Sequence, residues 1–186
     1  KANPDWLLSF FNNPSIIRPN LQVKMPSFHQ ISDEEWDAII AYFQHIDSEK
    51  INYRGIHQFN TESNEFAAGE KPHEIGQCNS CHFYGEEFPT GDAPTWAPNL
   101  ALTKERLNAG WVTEWLKNPQ SIMPGTKMPA PYVPDSEILS LENAENDWGK
   151  ALVILNGDTT AMLNGLRDYL WNIEGKTNID SLIKAY

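Results

Sequence analysis

Two thiols and an imidazole fall within one pentapeptide, Cys78-Asn79-Ser80-Cys81-His82, and the chain has no other cysteine. This is the spacing by which c-type haem is attached: each sulfur adds to one vinyl group, and the adjacent histidine reaches the iron from the proximal side. The same residues admit two other readings, a redox dithiol or half of a zinc site. A dithiol belongs after a strand in a βαβ pattern, which the sequence does not show, and a zinc site needs two further ligands at suitable spacing. With both cysteines committed to haem, no disulfide can form.

Downstream lie Trp111-Val112-Thr113-Glu114-Trp115-Leu116-Lys117-Asn118-Pro119 and then Pro124-Gly125-Thr126-Lys127-Met128-Pro129. With the pentapeptide, these segments resemble the class I cytochromes c, and the second is similar to that family's distal loop. The resemblance implies an all-α cytochrome c fold around one covalent haem c, with Met128 giving its thioether to the iron opposite His82. Trp96-Ala97-Pro98-Asn99-Leu100 resembles the family segment whose proline carbonyl accepts a hydrogen bond from the proximal imidazole. Pro98 is the residue so implied, and Leu100 the one packed on the porphyrin. Such a bond fixes His82 as a ligand through its other nitrogen and makes it more electron-donating. Trp111 and Trp115 join a core that, on this likeness, is the haem itself. A site filled by His82 and Met128 points to electron transfer, with no catalytic residue at the metal, and thioether ligation in a dry pocket points to a high reduction potential.

The 186 residues, 40% hydrophobic and 11% aromatic, describe a globular chain with room for one ordinary domain and a smaller one. A net charge of −11 argues against nucleic acid and against an anionic membrane surface. It favours redox proteins with a basic or polar docking surface, though solubility alone accounts for it equally well. No apolar run is long enough for a membrane span. No leader is visible, and the opening at Lys1 points to processing or trimming. In the family resembled, attachment occurs outside the cytoplasmic membrane, which implies an extracytoplasmic chain, in the periplasm or on the membrane's outer face.

The first segment repeats the distal half. Trp6, Phe10, Asn13, Pro14, Pro19, Met25 and Pro26 correspond in order to Trp111, Trp115, Asn118, Pro119, Pro124, Met128 and Pro129. Trp to first Pro is eight residues in both copies, first to second Pro is five, and only the step to Met differs, by two. Met123, the competing thioether, aligns with Arg18, whereas Met128 aligns with Met25. A repeat at polar and proline positions changes the domain count. Residues 1–48 read as a helical half-domain, the distal half of a second cytochrome c unit without its haem motif, as in a tandem dihaem protein. A two-helix extension is the plainer alternative. Its apolar residues Trp6, Phe10, Phe28, Trp36 and Phe43 must pack on something, and self-association through 1–48 is one outcome.

Around these motifs the elements follow. Ser32 caps a helix with Trp36, Ile39, Ile40, Phe43 and Ile46 at helical spacing. Residues 49–63 read as a linker in which His57, like His29, His45 and His73 elsewhere, is solvent-exposed by default. A complete monohaem domain spans 64–176. Its first helix runs from an Asn64 cap toward Cys78, with Phe66, Gly69 and Ile75 inward, and Pro72 kinks it or delays its start to Glu70. In the family, a glycine of this helix seats an aromatic ring of the last helix, and Gly69 and Tyr169 are the candidates. Thr103 caps a helix to about Lys117 bearing Leu107. Residues 129–157 form an acidic insertion, with a helix over 146–156 that places Trp148, Leu152 and Leu155 inward before a Gly157 cap. Asp158 caps a final helix to about Ile173, and 177–186 is a tail with one more short helix. The leading function is single-electron shuttling between redox partners by a non-enzymatic carrier. The alternative is an electron-entry domain or subunit of a larger respiratory oxidoreductase.

Overall fold

The computed structural model describes residues 1–18, 25–47 and 57–177. Expectations for Pro19, for linker residues 49–56 and for 178–186 lie outside the described residues. Among those described, ten helices and three 3-10 turns occur with isolated bridges but no strand. The architecture is therefore all-α, and the chain divides into two compact units.

The first unit takes in the described residues of 1–47, 79–110 and 173–177. Its α1 (Pro4–Asn12) starts where the Asn3 side chain accepts from Asp5 N. Its α2 (Asp33–Asp47) starts at a reciprocal cap, Glu35 N donating to Ser32 Oγ and Ser32 N to Glu35 Oε2. The two helices pack through Phe11 stacked on Trp36 at 4.5 Å, with Phe28 edge-on to Trp36. Trp36 and Ile40 are buried, whereas Tyr42, Phe43 and Ile46 are exposed. The buried Trp36 indole N–H has no acceptor among the described residues.

Thr103 begins a helix that stops at once: α4 covers Thr103–Arg106, and a new helix, α5, runs over Ala109–Lys117. The break corrects the single helix expected there, and its cause is non-local. Leu107 is extended and bridges Ala2, while Asn3 N donates to Arg106 O and Asn108 N to Lys1 O. This pairing draws 106–108 out of helical register. Arg106 lies over the Trp6 ring at 5.6 Å, and burial, with Arg18 adding to it, lowers its pKa to about 10.

The second unit takes in residues 57–78 and 111–172. Ser63, not Asn64, caps α3 (Asn64–Ile75), its Oγ accepting from Phe66 N at 3.1 Å. Pro72 lies buried inside a helix that already starts at Asn64, and Ile75 is exposed. After α5 come α6 (Pro119–Ile122), α7 (Ser136–Leu139), α8 (Ala144–Trp148), α9 (Lys150–Leu155) and α10 (Thr159–Trp171). The helix expected over 146–156 is split because Gly149, at φ +85°, breaks the α8–α9 register. Asp158 does cap α10, accepting from Ala161 N. Leu139, Leu152, Met162 and Ala68 form the core of this unit, so the insertion supplies core residues rather than surface alone.

At the α3–α10 crossing, two glycines meet. A Cβ on Gly69 would overlap the Gly165 carbonyl, and one on Gly165 would overlap the Glu65 carbonyl oxygen. Gly69 thus seats the backbone of Gly165, not the Tyr169 ring. Tyr169 instead lies tilted against Phe66 and His73. Gly165→Ala is expected to cost roughly 3 kcal/mol of unfolding free energy. Gly110→Ala, whose Cβ would sit 3.4 Å from Asn108 Oδ1, should be neutral or gain up to about 1 kcal/mol. Denaturant titration of both variants checks this, and equal effects would refute the crossing as the constraint.

Candidate functional site

In the first unit, the segment after the second thiol is held like a parallel ladder. Ala97 N donates to Cys81 O at 2.7 Å, His82 bridges Ala97, and Leu100 N donates to Phe83 O at 2.8 Å. This pairing brings Pro98 to His82: the Pro98 carbonyl accepts from His82 Nδ1 at 2.6 Å. A carbonyl can only accept, so Nδ1 carries the proton and the lone pair resides on Nε2, the form an imidazole needs to ligate metal. The structure therefore brings His82 and Pro98 together.

Asn99, which sequence reasoning passed over, fixes that segment. Buried, it accepts from Gly85 N and Ala101 N and donates to Gly85 O at 2.8 Å. Behind it, Phe83, Phe88 and Trp96 form an edge-to-face cluster, with Trp96 Nε1 donating to Gly91 O. Gly91 N and Thr90 N in turn donate to Ser80 O and Asn79 O, pinning the pentapeptide turn. Leu100 is buried.

In the second unit, α3 leads into the pentapeptide through Gln77 in the left-handed region at φ +46°. Cys78 and Cys81 are half-buried, and neither is in a disulfide. On α5, Trp111 and Trp115 stack at 5.2 Å and 19°. The methionine loop is shaped by Gly125 at φ +84° and by Gln120, whose side chain donates to Thr126 O and accepts from Gly125 N. The loop sets Met128 Sδ 2.9 Å from the Trp115 indole N–H, which donates to it. Met128 is half-buried and Met123 is exposed.

His57 departs from its expected exposure. The Asp168 carboxylate accepts from its Nε2 at 2.6 Å, and the imidazole stacks on Phe59. Asp168 also accepts from Arg167 Nε at 2.8 Å, and Arg167 Nη1 donates to both Thr113 Oγ1 and Asn164 Oδ1. The one available signal was Asp168 itself, a carboxylate three residues from the buried Gly165 on the apolar stripe of α10. Among the described residues, no group of three or more His, Cys, Asp or Glu is placed to hold a metal ion, and no helix is long and apolar enough to cross a membrane.

The residues present fit a covalently held haem: two thiols outside any disulfide, an imidazole oriented by a backbone carbonyl, and a thioether in a shaped loop. Against known proteins, the chain is 35% identical over 109 residues to cytochrome c oxidase subunit 2 of Bacillus subtilis (strain 168). The match takes in 53% of this chain and 30% of that protein, so the chain spans less than a third of its relative. No family model and no solved structure matches.

His73 carries a pH dependence. Burial lowers its pKa below the ordinary 6.5, with Glu70 pulling the other way. The folded protein thus binds this proton more weakly than the unfolded chain, so the contribution is full above pH 6.5 and is lost as pH falls through the depressed folded value. Unfolding free energy should therefore decline as pH falls from 6.5 toward the depressed folded value and level off below it, and His73→Gln should flatten this part of the curve. An unchanged slope in the variant would refute the assignment.

Proposed function

We propose that this chain is a c-type haem electron-transfer module that serves as the electron-entry domain of a larger respiratory oxidoreductase. The observation that carries the haem reading is the 2.6 Å bond from His82 Nδ1 to Pro98, made by the imidazole that directly follows the two thiols. The similarity to an oxidase subunit supports the setting within a complex over free shuttling.

The bound haem supplies a reversible one-electron couple. Cys78 and Cys81 tether it by thioether bonds, and His82 meets its iron through Nε2, held in that tautomer by Pro98. Met128 would be the thioether that also holds the group. The exposure of Met123 and the Trp115–Met128 contact both support Met128 over Met123. With His82 and Met128 both holding the group, no position would remain for substrate, and the protein's task would be to hold, orient and keep dry.

Residues 1–48 belong to this proposal as the distal half of a second unit. Trp6 and Phe10 on α1 stack at 4.8 Å and 16°, close to the geometry of their counterparts Trp111 and Trp115 on α5. The complete unit spans 64–176 with its insertion at 129–157, and the extracytoplasmic location follows from the attachment chemistry.

Met128→Ala in the matured protein should lower the midpoint potential and open the iron to carbon monoxide, which the parent should bind weakly. His82→Ala should abolish stable loading. A colourless mature chain, or a Met128 variant with unchanged spectrum and potential, would overturn the haem reading. Within the purified complex the haem should be reduced and reoxidised at the turnover rate. A haem that stays oxidised during turnover would overturn electron entry alone.

A further inference from the structure

We infer that the buried network Thr113–Asn164–Arg167–Asp168–His57 positions the distal thioether, with Thr113 and Arg167 acting on Met128 through α5 and Trp115. The inference rests on the reading of Met128 as an axial ligand.

Thr113 is a buried hydroxyl on a helix face otherwise formed by Val112 and Leu116. Its Oγ1 donates to Asn164 Oδ1 at 3.0 Å and accepts from Arg167 Nη1 at 3.1 Å. Arg167 Nη1 also donates to Asn164 Oδ1 at 2.9 Å, and Arg167 Nε to Asp168 Oδ1 at 2.8 Å. The same carboxylate oxygen accepts from His57 Nε2 at 2.6 Å. With side chains only 12% and 9% exposed, Arg167 and Asp168 form a largely desolvated pair, whose mutual attraction is offset by the cost of taking both charges out of water. What such a polar lattice contributes is direction, since each bond admits one arrangement.

That direction acts on α5. Thr113 lies two residues from both Trp111 and Trp115, which at 3.6 residues per turn places it on the side of the helix away from their shared face. Pinning Thr113 to α10 therefore sets the rotation of α5 about its axis. It also sets where the Trp115 indole N–H meets Met128 Sδ, now 2.9 Å away. A thioether sulfur has two lone pairs, one for the metal and one for this donor. A donor that drifts alters both the sulfur's position and its electron donation. His57, stacked on Phe59 and edge-on to Trp171, closes the far end of the lattice so that the Asp168 carboxylate has cationic or N–H donors from two segments.

The decisive variant is Thr113→Val, which keeps shape and charge but removes the hydroxyl. In the haem-loaded protein it should shift the midpoint potential, weaken the sulfur-to-iron charge-transfer band of the oxidised form, and raise imidazole affinity at the distal position by about fivefold to tenfold. Thr113→Ser should restore all three. Arg167→Met should reproduce the valine phenotype, and Arg167→Lys should restore little, because the fork that reaches Thr113, Asn164 and Asp168 together is lost. A Thr113→Val protein of reduced stability but parental potential, band and imidazole affinity would overturn the inference and leave the network purely structural. Met128→Ala separates the two proposals: if it leaves the spectrum unchanged, the ligand reading itself fails, whatever Thr113→Val does.

Discussion

Backbone lies directly against backbone where Gly69 of α3 crosses Gly165 of α10. No side chain stands between the two helices at that point, so their separation and angle have a single solution, and displacing either means displacing main chain. The second unit inherits its geometry from this contact. At one end, α3 passes through the left-handed Gln77 into the first thiol. Along its length, α10 offers Asn164, Arg167 and Asp168 as a fixed polar edge to α5 and to His57. The aromatic layer of Phe66, His73 and Tyr169 fills the space beside the crossing instead of occupying it.

How much of this was legible depends on what each residue answers to. Pro98 came from the family resemblance alone, whereas the thiols and the imidazole stood out because attachment chemistry dictates residue type and spacing locally. The caps at Ser32 and Asp158 were legible for the same reason. The break at Leu107 was not, because it comes from pairing with residues 1–3, about a hundred positions away, which no window of sequence contains. Asn99 and Thr113 were passed over because a lone polar residue in an apolar or loop context carries no period, and its partners are defined only by the fold. Gly149 shows a different failure: apolar spacing alone set a helix over 146–156, with no account of the glycine inside it. His57 was misjudged because a linker position was taken to imply exposure, whereas a buried carboxylate on another helix fixed its placement.

The two aromatic pairs, Trp6 with Phe10 and Trp111 with Trp115, show what a repeat retains and what it lets go. Stacking geometry is nearly the same in both, since four-residue spacing on a helix brings rings together whatever their identity. The polar atom differs: Trp115 presents an N–H to Met128, and Phe10 has none to offer Met25. Packing is thus preserved while the donor to the sulfur is specific to one copy. In α2, the buried Trp36 brings an indole N–H that finds no acceptor among the described residues.

Both units are discontinuous along the chain, each closed by segments that emerge late. A chain that emerges from its N-terminus presents Cys78 and Cys81 long before Gly165 is available to seat α3. During that interval the pentapeptide is an unfolded peptide, open to any enzyme that must grasp both sulfurs. Any modification of that pentapeptide that needs an open chain would therefore precede compaction, because contacts of such high sequence separation form late.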